Sequence, residues 1–220
     1  MEALTYTAYG MRAENLRVQQ VPLPKRKRGQ LTVKVHSSGL NPVDYKMLLG
    51  NYKQWAKAQF PATLGHDLCG EVIEADDKSR FKVGQMIYGC MEAGYPGSFA
   101  THCVISESCV SEPPAGYSQV ELGCLPLVGM TCLQVFDRLQ IKPGSRLLIH
   151  AGSGGVGTMA IQLAKQLGAF VYTTTSSKNK EWVKALGADE VICYDKESYE
   201  QKLSGLDAVF DTLGDDHTFR

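Results

Sequence analysis

Leu31, Val33 and Val35 alternate with Thr32, Lys34 and His36, the period of two that marks a strand with one face buried. Residues 71–74 and 85–88 read as two further short strands. Turn residues separate them at Ser37-Ser38-Gly39, Asn41-Pro42 and Tyr95-Pro96-Gly97. Up to about residue 120 the pattern is therefore that of short strands and turns, with one helix over residues 42–50. Its character changes near Gln119. Leu127, Met130, Leu133, Phe136 and Leu139 recur at helical spacing, and Lys142-Pro143-Gly144 ends that helix. A near-continuous apolar run follows over residues 147–151, as suits a parallel strand covered on both faces.

After that run come Gly152, Ser153, Gly154, Gly155, Val156 and Gly157, then an apolar helix face at Val156, Met159, Ala160, Leu163, Ala164 and Leu167, with Gly168 as its C-cap. Residues 170–174 predict a second strand. Residues 179–186 predict a second helix closed by Gly187, and residues 191–194 and 208–213 predict strands three and four. Strand–helix–strand repetition implies βαβ units and a right-handed parallel sheet. The fold class is α/β, with a β-rich domain over residues 1–122 and a doubly wound parallel domain over residues 123–220.

The glycine cluster fits G-x-G-x-x-G and stands between a predicted strand and a predicted amphipathic helix, the context that a dinucleotide-binding turn requires. Gly152 permits the tight turn, Gly154 lets the backbone approach a pyrophosphate, and Gly157 lets helix and strand pack closely. An NAD site places an acid at the end of the second strand for the adenosine ribose. Here that end reads Thr173, Thr174, Thr175, Ser176, Ser177, Lys178, Asn179, Lys180, with no carboxylate before Glu181. Hydroxyls and two lysines suit a 2′-phosphate, so the expected cofactor is NADP(H).

Composition narrows the class. Lys plus Arg is 23 and Asp plus Glu is 23. The zero net charge gives no field toward nucleic acid or an acidic membrane. Apolar runs stay short of the roughly 18 residues of a membrane span, and the N-terminus lacks a signal-peptide h-region. The basic run Lys25-Arg26-Lys27-Arg28 reads as a solvated loop. The seven cysteines lack CxxC spacing, which argues against dithiol redox chemistry and a four-cysteine zinc site. A cytoplasmic location with reduced thiols is expected.

HAGSGGVG, TTSSKNK, ALGADEVICY and LDAVFDTLG, together with SSGLNPVDYKMLLG, FPATLGHDLCGEV and LPLVGMTCLQ upstream, resemble the zeta-crystallin-like quinone oxidoreductases of the medium-chain dehydrogenase/reductase superfamily. The resemblance implies a GroES-like domain joined to a Rossmann domain. It implies that Asn41 lies near the nicotinamide ribose and substrate, and that Thr131 contacts the nicotinamide end. It implies that Ser177 and Lys180 bind the 2′-phosphate beside Thr175 and Ser176, and that Tyr194 lies near the adenosine phosphate. Tyr45 and Tyr52 are assigned to the substrate cleft. Zinc-dependent relatives use two cysteines and a histidine; the corresponding positions here are Asn41, His66 and Leu127. One ligand cannot hold a catalytic zinc, so no metal is expected. The implied activity is hydride transfer from NADPH to a quinone or activated enone, with Asn41 orienting rather than transferring protons.

The alternative is a non-catalytic NADPH-binding protein with a structural or RNA-binding role, and a zinc alcohol dehydrogenase is the remaining possibility. The resemblance further implies two more strands after position 220. The doubly wound sheet thus reads as cut short after strand 4, with a fourth helix only starting at 216–220. A homodimer through the sheet edge is expected only where those further strands are present.

Overall fold

The first half of the chain builds its layers from short antiparallel strands. In the computed structural model the described residues are 1–92 and 97–214, and the chain divides into units Met1–Leu127 and Val128–Arg220. The first unit contains β1 (Glu2–Tyr6), β2 (Leu16–Gln20), β3 (Gln30–Ser37), α1 (Pro42–Leu49), β4 (Ala62–Thr63), β5 (Asp67–Glu74), β6 (Met86–Cys90), β7 (His102–Ser106), β8 (Val110–Ser111) and α2 (Gln119–Leu122). The strands form two antiparallel sheets, β2-β1-β4 and β7-β3-β5-β6-β8. Leu31, Val33, Leu68, Val72, Phe81 and Ile87 pack the core of the five-stranded sheet.

β3 departs from the one-sided strand that its alternation predicts. Thr32 is buried along with its apolar neighbours, and its Oγ1 donates to Glu74 Oε2 at 2.8 Å. That bond satisfies the hydroxyl, which is what burial of a polar group demands. β7 buries Cys103, Val104 and Ile105 in succession, so it carries no alternation to read. The Lys25–Arg28 loop is not simply solvated either. Arg26 donates to Asp76 Oδ1 at 2.5 Å and to the Gln30 carbonyl at 3.0 Å, and Gly29 N–H donates to Asp76 Oδ2 at 2.8 Å.

The division between the units falls inside α3 (Pro126–Leu139). The second unit continues with β9 (Arg146–Ile149), α4 (Gly155–Gln166), β10 (Phe170–Thr175), α5 (Lys180–Ala185), β11 (Glu190–Cys193) and β12 (Ala208–Phe210). All pairings are parallel and the order is β11-β10-β9-β12. Counted along the chain this is 3-2-1-4, the order of an open doubly wound sheet. Leu147, Ile149, Val171, Ala160, Ile161 and Ala164 form its dry centre. Phe136 and Phe210 meet edge to face, with centroids 6.0 Å apart.

The apolar face of α3 follows the one that spacing predicts only in part, at Phe136 and Leu139. Met130 and Leu133 are exposed, whereas Cys132 and Phe136 are buried, with Val135 and Leu139 packed alongside. Steps of three residues turn about 300°, so each slips about 60° around the helix, and four such steps cannot stay on one side. α4 follows its predicted face more closely. It adds Ile161 to the buried stripe and leaves Leu167 exposed. Gly168 caps it at φ 80°. The turn expected at Tyr95 and Pro96 and the helix start expected at 216–220 lie outside the described residues.

All seven cysteines are free. Cys69, Cys90, Cys103, Cys132 and Cys193 are buried, Cys109 is partly covered, and Cys124 is exposed. Burial pushes the thiols of Cys90, Cys103 and Cys132 up to about 12. They act as small apolar side chains. Among the described residues no helix is long and apolar enough to cross a membrane.

Candidate functional site

The glycine turn joins β9 to α4. Gly152 N–H donates to the Thr174 carbonyl at 2.8 Å, Ala151 N–H to Thr174 Oγ1 at 3.2 Å, and Gly154 N–H to the Ala151 carbonyl at 2.9 Å. Ala151 adopts φ 51°, a left-handed conformation that costs a non-glycine residue strain and concentrates at ligand sites. The turn's glycines serve different ends. A Cβ on Gly157 would stand 2.2 Å from the Ala151 carbonyl oxygen and 2.8 Å from Gly152 Cα. There the fold itself excludes a side chain. At Gly154 the nearest atom to an added Cβ is the Ala151 carbonyl oxygen at 3.3 Å, a tight contact that a shift of a few tenths of an ångström relieves. Its chain neighbours aside, no other atom of the described residues comes within 4 Å of that added Cβ.

Next to this turn stand two hydroxyls, Thr175 Oγ1 at the end of β10 and Ser176 Oγ just past it, that are buried and have no hydrogen-bond partner among the described residues. Buried polar atoms are nearly always paired, so two adjacent orphans point to a ligand that would pair them. A cavity of about 450 Å³ opens beside the preceding residue, Thr174, and is lined also by Ala151, Ser153, Tyr194, His150 and Tyr199. His150 Nδ1 lies 3.1 Å from Thr174 Oγ1, and its ring meets Tyr199 edge to face. Gly152 to Gly157, Thr175, Ser176, Ser177 and Tyr194 thus gather at the carboxyl ends of β9, β10 and β11. Lys180 is the first residue of α5, directly after this strand end. These features fit a dinucleotide.

One residue of this region is absent from the sequence reading. Ser177 N–H donates to Asp195 Oδ1 at 2.9 Å, and Ser177 Oγ donates to Asp195 Oδ2 at 2.7 Å. An acid does stand at the end of the second parallel strand, supplied from the third. The signal that could have found it is the parallel register, which pairs Thr175 with Cys193 and so sets 177 beside 195.

The first unit holds a second polar cluster, around the N-terminus of α1. Asn41 N–H donates to Asp44 Oδ2 at 2.7 Å, and Asp44 Oδ1 lies 2.8 Å from His66 Nδ1. Asn41 Nδ2 donates to Asp67 Oδ2 at 2.7 Å and to the Gly39 carbonyl at 3.3 Å. Leu127 N–H donates to Asp67 Oδ1 at 2.6 Å. Asp44 and Asp67 are buried. Burial pushes the Asp67 carboxyl up, against the pull of the Asn41 and Leu127 bonds and of the His66 charge, with the Asp44 carboxylate adding to the rise. Tyr45 projects from α1 with 47% of its surface exposed, and Tyr52 lies against Trp55 at 6.2 Å between centroids. Thr131 belongs to α3 in the second unit.

A catalytic zinc does not fit the residues that the resemblance places at its ligand positions. Leu127 offers no side-chain ligand atom, Asn41 is held to Asp67 through its amide nitrogen, and His66 alone supplies a usual zinc ligand, its Nδ1 lying 2.8 Å from Asp44 Oδ1. Among the described residues no three His, Cys, Asp or Glu side chains are grouped to hold a metal ion.

Residues 27–115 match the family model of the alcohol dehydrogenase GroES-like domain, and residues 155–220 match that of the zinc-binding dehydrogenases. The quinone oxidoreductase of Coxiella burnetii superposes with a TM-score of 0.89 at 35% identity, covering 98% of this chain and 69% of that one. The chain belongs to the medium-chain dehydrogenase/reductase superfamily. A mycobacterial member complexed with NADPH superposes at TM-score 0.83 and 26% identity, covering 98% of this chain and 68% of that one. Among curated members, the chloroplast envelope quinone oxidoreductase homolog of Arabidopsis thaliana is 35% identical over 88% of this chain and 61% of its own length. The 2-methylene-furan-3-one reductase of Solanum lycopersicum is 34% identical over 97% of this chain and 57% of its own length. The chain thus spans about three fifths of the curated relatives it matches.

Proposed function

We propose that this chain belongs to an NADPH-dependent reductase of quinones or activated enones that works without zinc. The observation that carries the reading is the end of β10, a strand with no carboxylate of its own, where the buried Thr175 and Ser176 hydroxyls have no partner among the described residues. Relatives named for quinones and for an unsaturated furanone support the substrate class.

When bound, NADPH supplies a hydride to an electron-poor double bond, which needs no Lewis acid. Gly154 leaves room for the pyrophosphate beside the amino end of α4, whose unpaired N–H groups favour an anion. Thr175 and Ser176 hydroxyls would pair with the adenosine ribose or its phosphate, and the Lys180 ammonium adds a charge-assisted bond. Tyr194 would close the adenosine side. Asn41, its amide nitrogen fixed by Asp67, holds one orientation toward substrate and ribose. An amide so held positions and does not exchange protons. Tyr45 and Tyr52 are offered as substrate contacts, and Thr131 as a contact to the nicotinamide end.

The test is to follow oxidation of NADPH and of NADH on adding a small benzoquinone, with and without a zinc chelator. NADPH preference and indifference to the chelator support the proposal. Equal use of both cofactors, or loss of turnover restored by zinc, sinks it. Lys180→Ala should weaken NADPH binding by about 1–3 kcal/mol, the range for a hydrogen bond to a charged group, and leave NADH nearly unaffected.

A further inference from the structure

Asp195 is an exposed residue just past β11, yet its two carboxylate oxygens are both engaged by one serine. Ser177 N–H and Ser177 Oγ donate to them at 2.9 and 2.7 Å. Those bonds hold the carboxyl below its usual range, so it is ionised near neutral pH. The strand register keeps the pair together: Thr175 is opposite Cys193, and Tyr194 N–H donates to the Thr175 carbonyl at 3.1 Å.

Two donors of one residue converging on two oxygens of an anion is the arrangement that also receives a phosphate. Next to it stand the Thr175 and Ser176 hydroxyls, which have no partner among the described residues. The three residues therefore differ in state. The Thr175 and Ser176 hydroxyls are unpaired among the described residues, while Ser177 holds an anion supplied by the chain.

Building on the NADPH reading above, we propose that Asp195 is a specificity-determining residue that opposes the 2′-phosphate. Its carboxylate occupies the Ser177 donors that the phosphate would take, and the phosphorylated cofactor binds only by displacing it. Like charges cannot share the two donors, and juxtaposed anions repel. The side chain is exposed, so turning it into water costs little and the opposition is moderate. A cofactor without the 2′-phosphate makes no claim on Ser177 and leaves Asp195 in place. Asp195 thus narrows the margin by which the site favours the phosphorylated dinucleotide.

The probes are 2′,5′-ADP and 5′-AMP, which present the adenosine end with and without the 2′-phosphate and require no turnover. Calorimetric titration compares the protein with Asp195→Ala and Asp195→Asn. Asp195→Ala should bind 2′,5′-ADP about three- to tenfold more tightly, the scale of an exposed charge interaction with its hydrogen bonds, and bind 5′-AMP nearly as before. Asp195→Asn removes the charge but keeps an acceptor for Ser177, so its gain should be intermediate. Unchanged or weaker 2′,5′-ADP binding by Asp195→Ala overturns the role of Asp195. If the unsubstituted protein nonetheless prefers 2′,5′-ADP to 5′-AMP, the NADPH reading survives that result. If neither the protein nor Asp195→Ala distinguishes the two nucleotides, the NADPH reading falls and this inference falls with it.

Discussion

Alanine placed at Gly157 or at Gly154 should separate folding from binding within one turn. At Gly157 the added Cβ would meet the Ala151 carbonyl oxygen at 2.2 Å and Gly152 Cα at 2.8 Å. Both are backbone atoms, and the same carbonyl accepts the Gly154 N–H. No side chain can rotate away, so α4 must shift from β9 or the turn must open. Overpacking of this kind costs about 1–3 kcal/mol. Higher helix propensity returns about 1 kcal/mol at most, because alanine is preferred to glycine inside a helix. The net loss should be about 1–2 kcal/mol, read as a lower urea midpoint at unchanged slope. At Gly154 the φ of −83° suits alanine, and the one close atom, the Ala151 carbonyl oxygen at 3.3 Å, must give by only a few tenths of an ångström. The cost there should be that of a poorer N-cap, about 0.5 kcal/mol. NADPH affinity, followed by nucleotide fluorescence, should nevertheless fall at least about tenfold, the equivalent of 1.4 kcal/mol, because the methyl fills the approach to the pyrophosphate. Parent-like stability of Gly157→Ala, or parent-like NADPH affinity of Gly154→Ala, would refute this division of labour.

Asp67→Asn should destabilise the first unit by about 1–3 kcal/mol in urea titrations. Both Asp67 oxygens accept from N–H groups, Leu127 and Asn41 Nδ2, and the new NH₂ must face one of them. A variant as stable as the parent would show that the cluster is not a fixed acceptor site. Asp189 predicts an acid-side dependence. Burial alone would raise its carboxyl, but Lys165 Nζ at 2.6 Å and Val171 N–H at 2.7 Å hold it below the usual range. Its contribution is therefore present above the ordinary aspartate pKa of about 4 and is lost as pH falls through the lower folded value. Asp189→Asn should flatten the fall of melting temperature on that side, and an unchanged acid slope would count against the assignment.

The nucleotide half was legible where local signals coincide. The apolar run of β9, the glycine spacing and the face of α4 are contiguous in sequence and share one cause, a strand feeding a helix. The face of α3 was misjudged because Met130 and Leu133 sit on steps of three, which drift around the helix while Cys132 and Phe136 stay on the sheet. Asp195 was hidden for a different reason. The residues after β10 hold no acid until Glu181, and only strand pairing brings a carboxylate from eighteen positions away to Ser177. The Asn41–Asp44–His66–Asp67 cluster was half visible. Asn41 and Asp44 have capping-box spacing, but the pairing of Asp44 with His66, and of Asn41 with Asp67, is a product of tertiary folding. In the first unit, β3 hid its buried Thr32 behind a regular alternation, because a hydrogen bond to Glu74 lets a polar side chain stand where an apolar one is expected.

The distribution of free thiols gives the molecule an internal gauge of its own opening. Cys69, Cys90 and Cys103 are sealed in the first unit, and Cys132 and Cys193 in the second. An alkylating reagent needs both access and thiolate, and burial withholds both from Cys90, Cys103 and Cys132. Each can be labelled only when its surroundings come apart, so the labelling rate at each position measures the free energy of the opening that exposes it. Cys124, already exposed, reports the reagent's speed at an open position in the same tube, a speed lowered because partial burial and the nearby Asp67 and Glu121 carboxylates push its thiol up. Peptide mapping of a single time course would therefore yield separate opening energies for the two units without adding any probe to the chain.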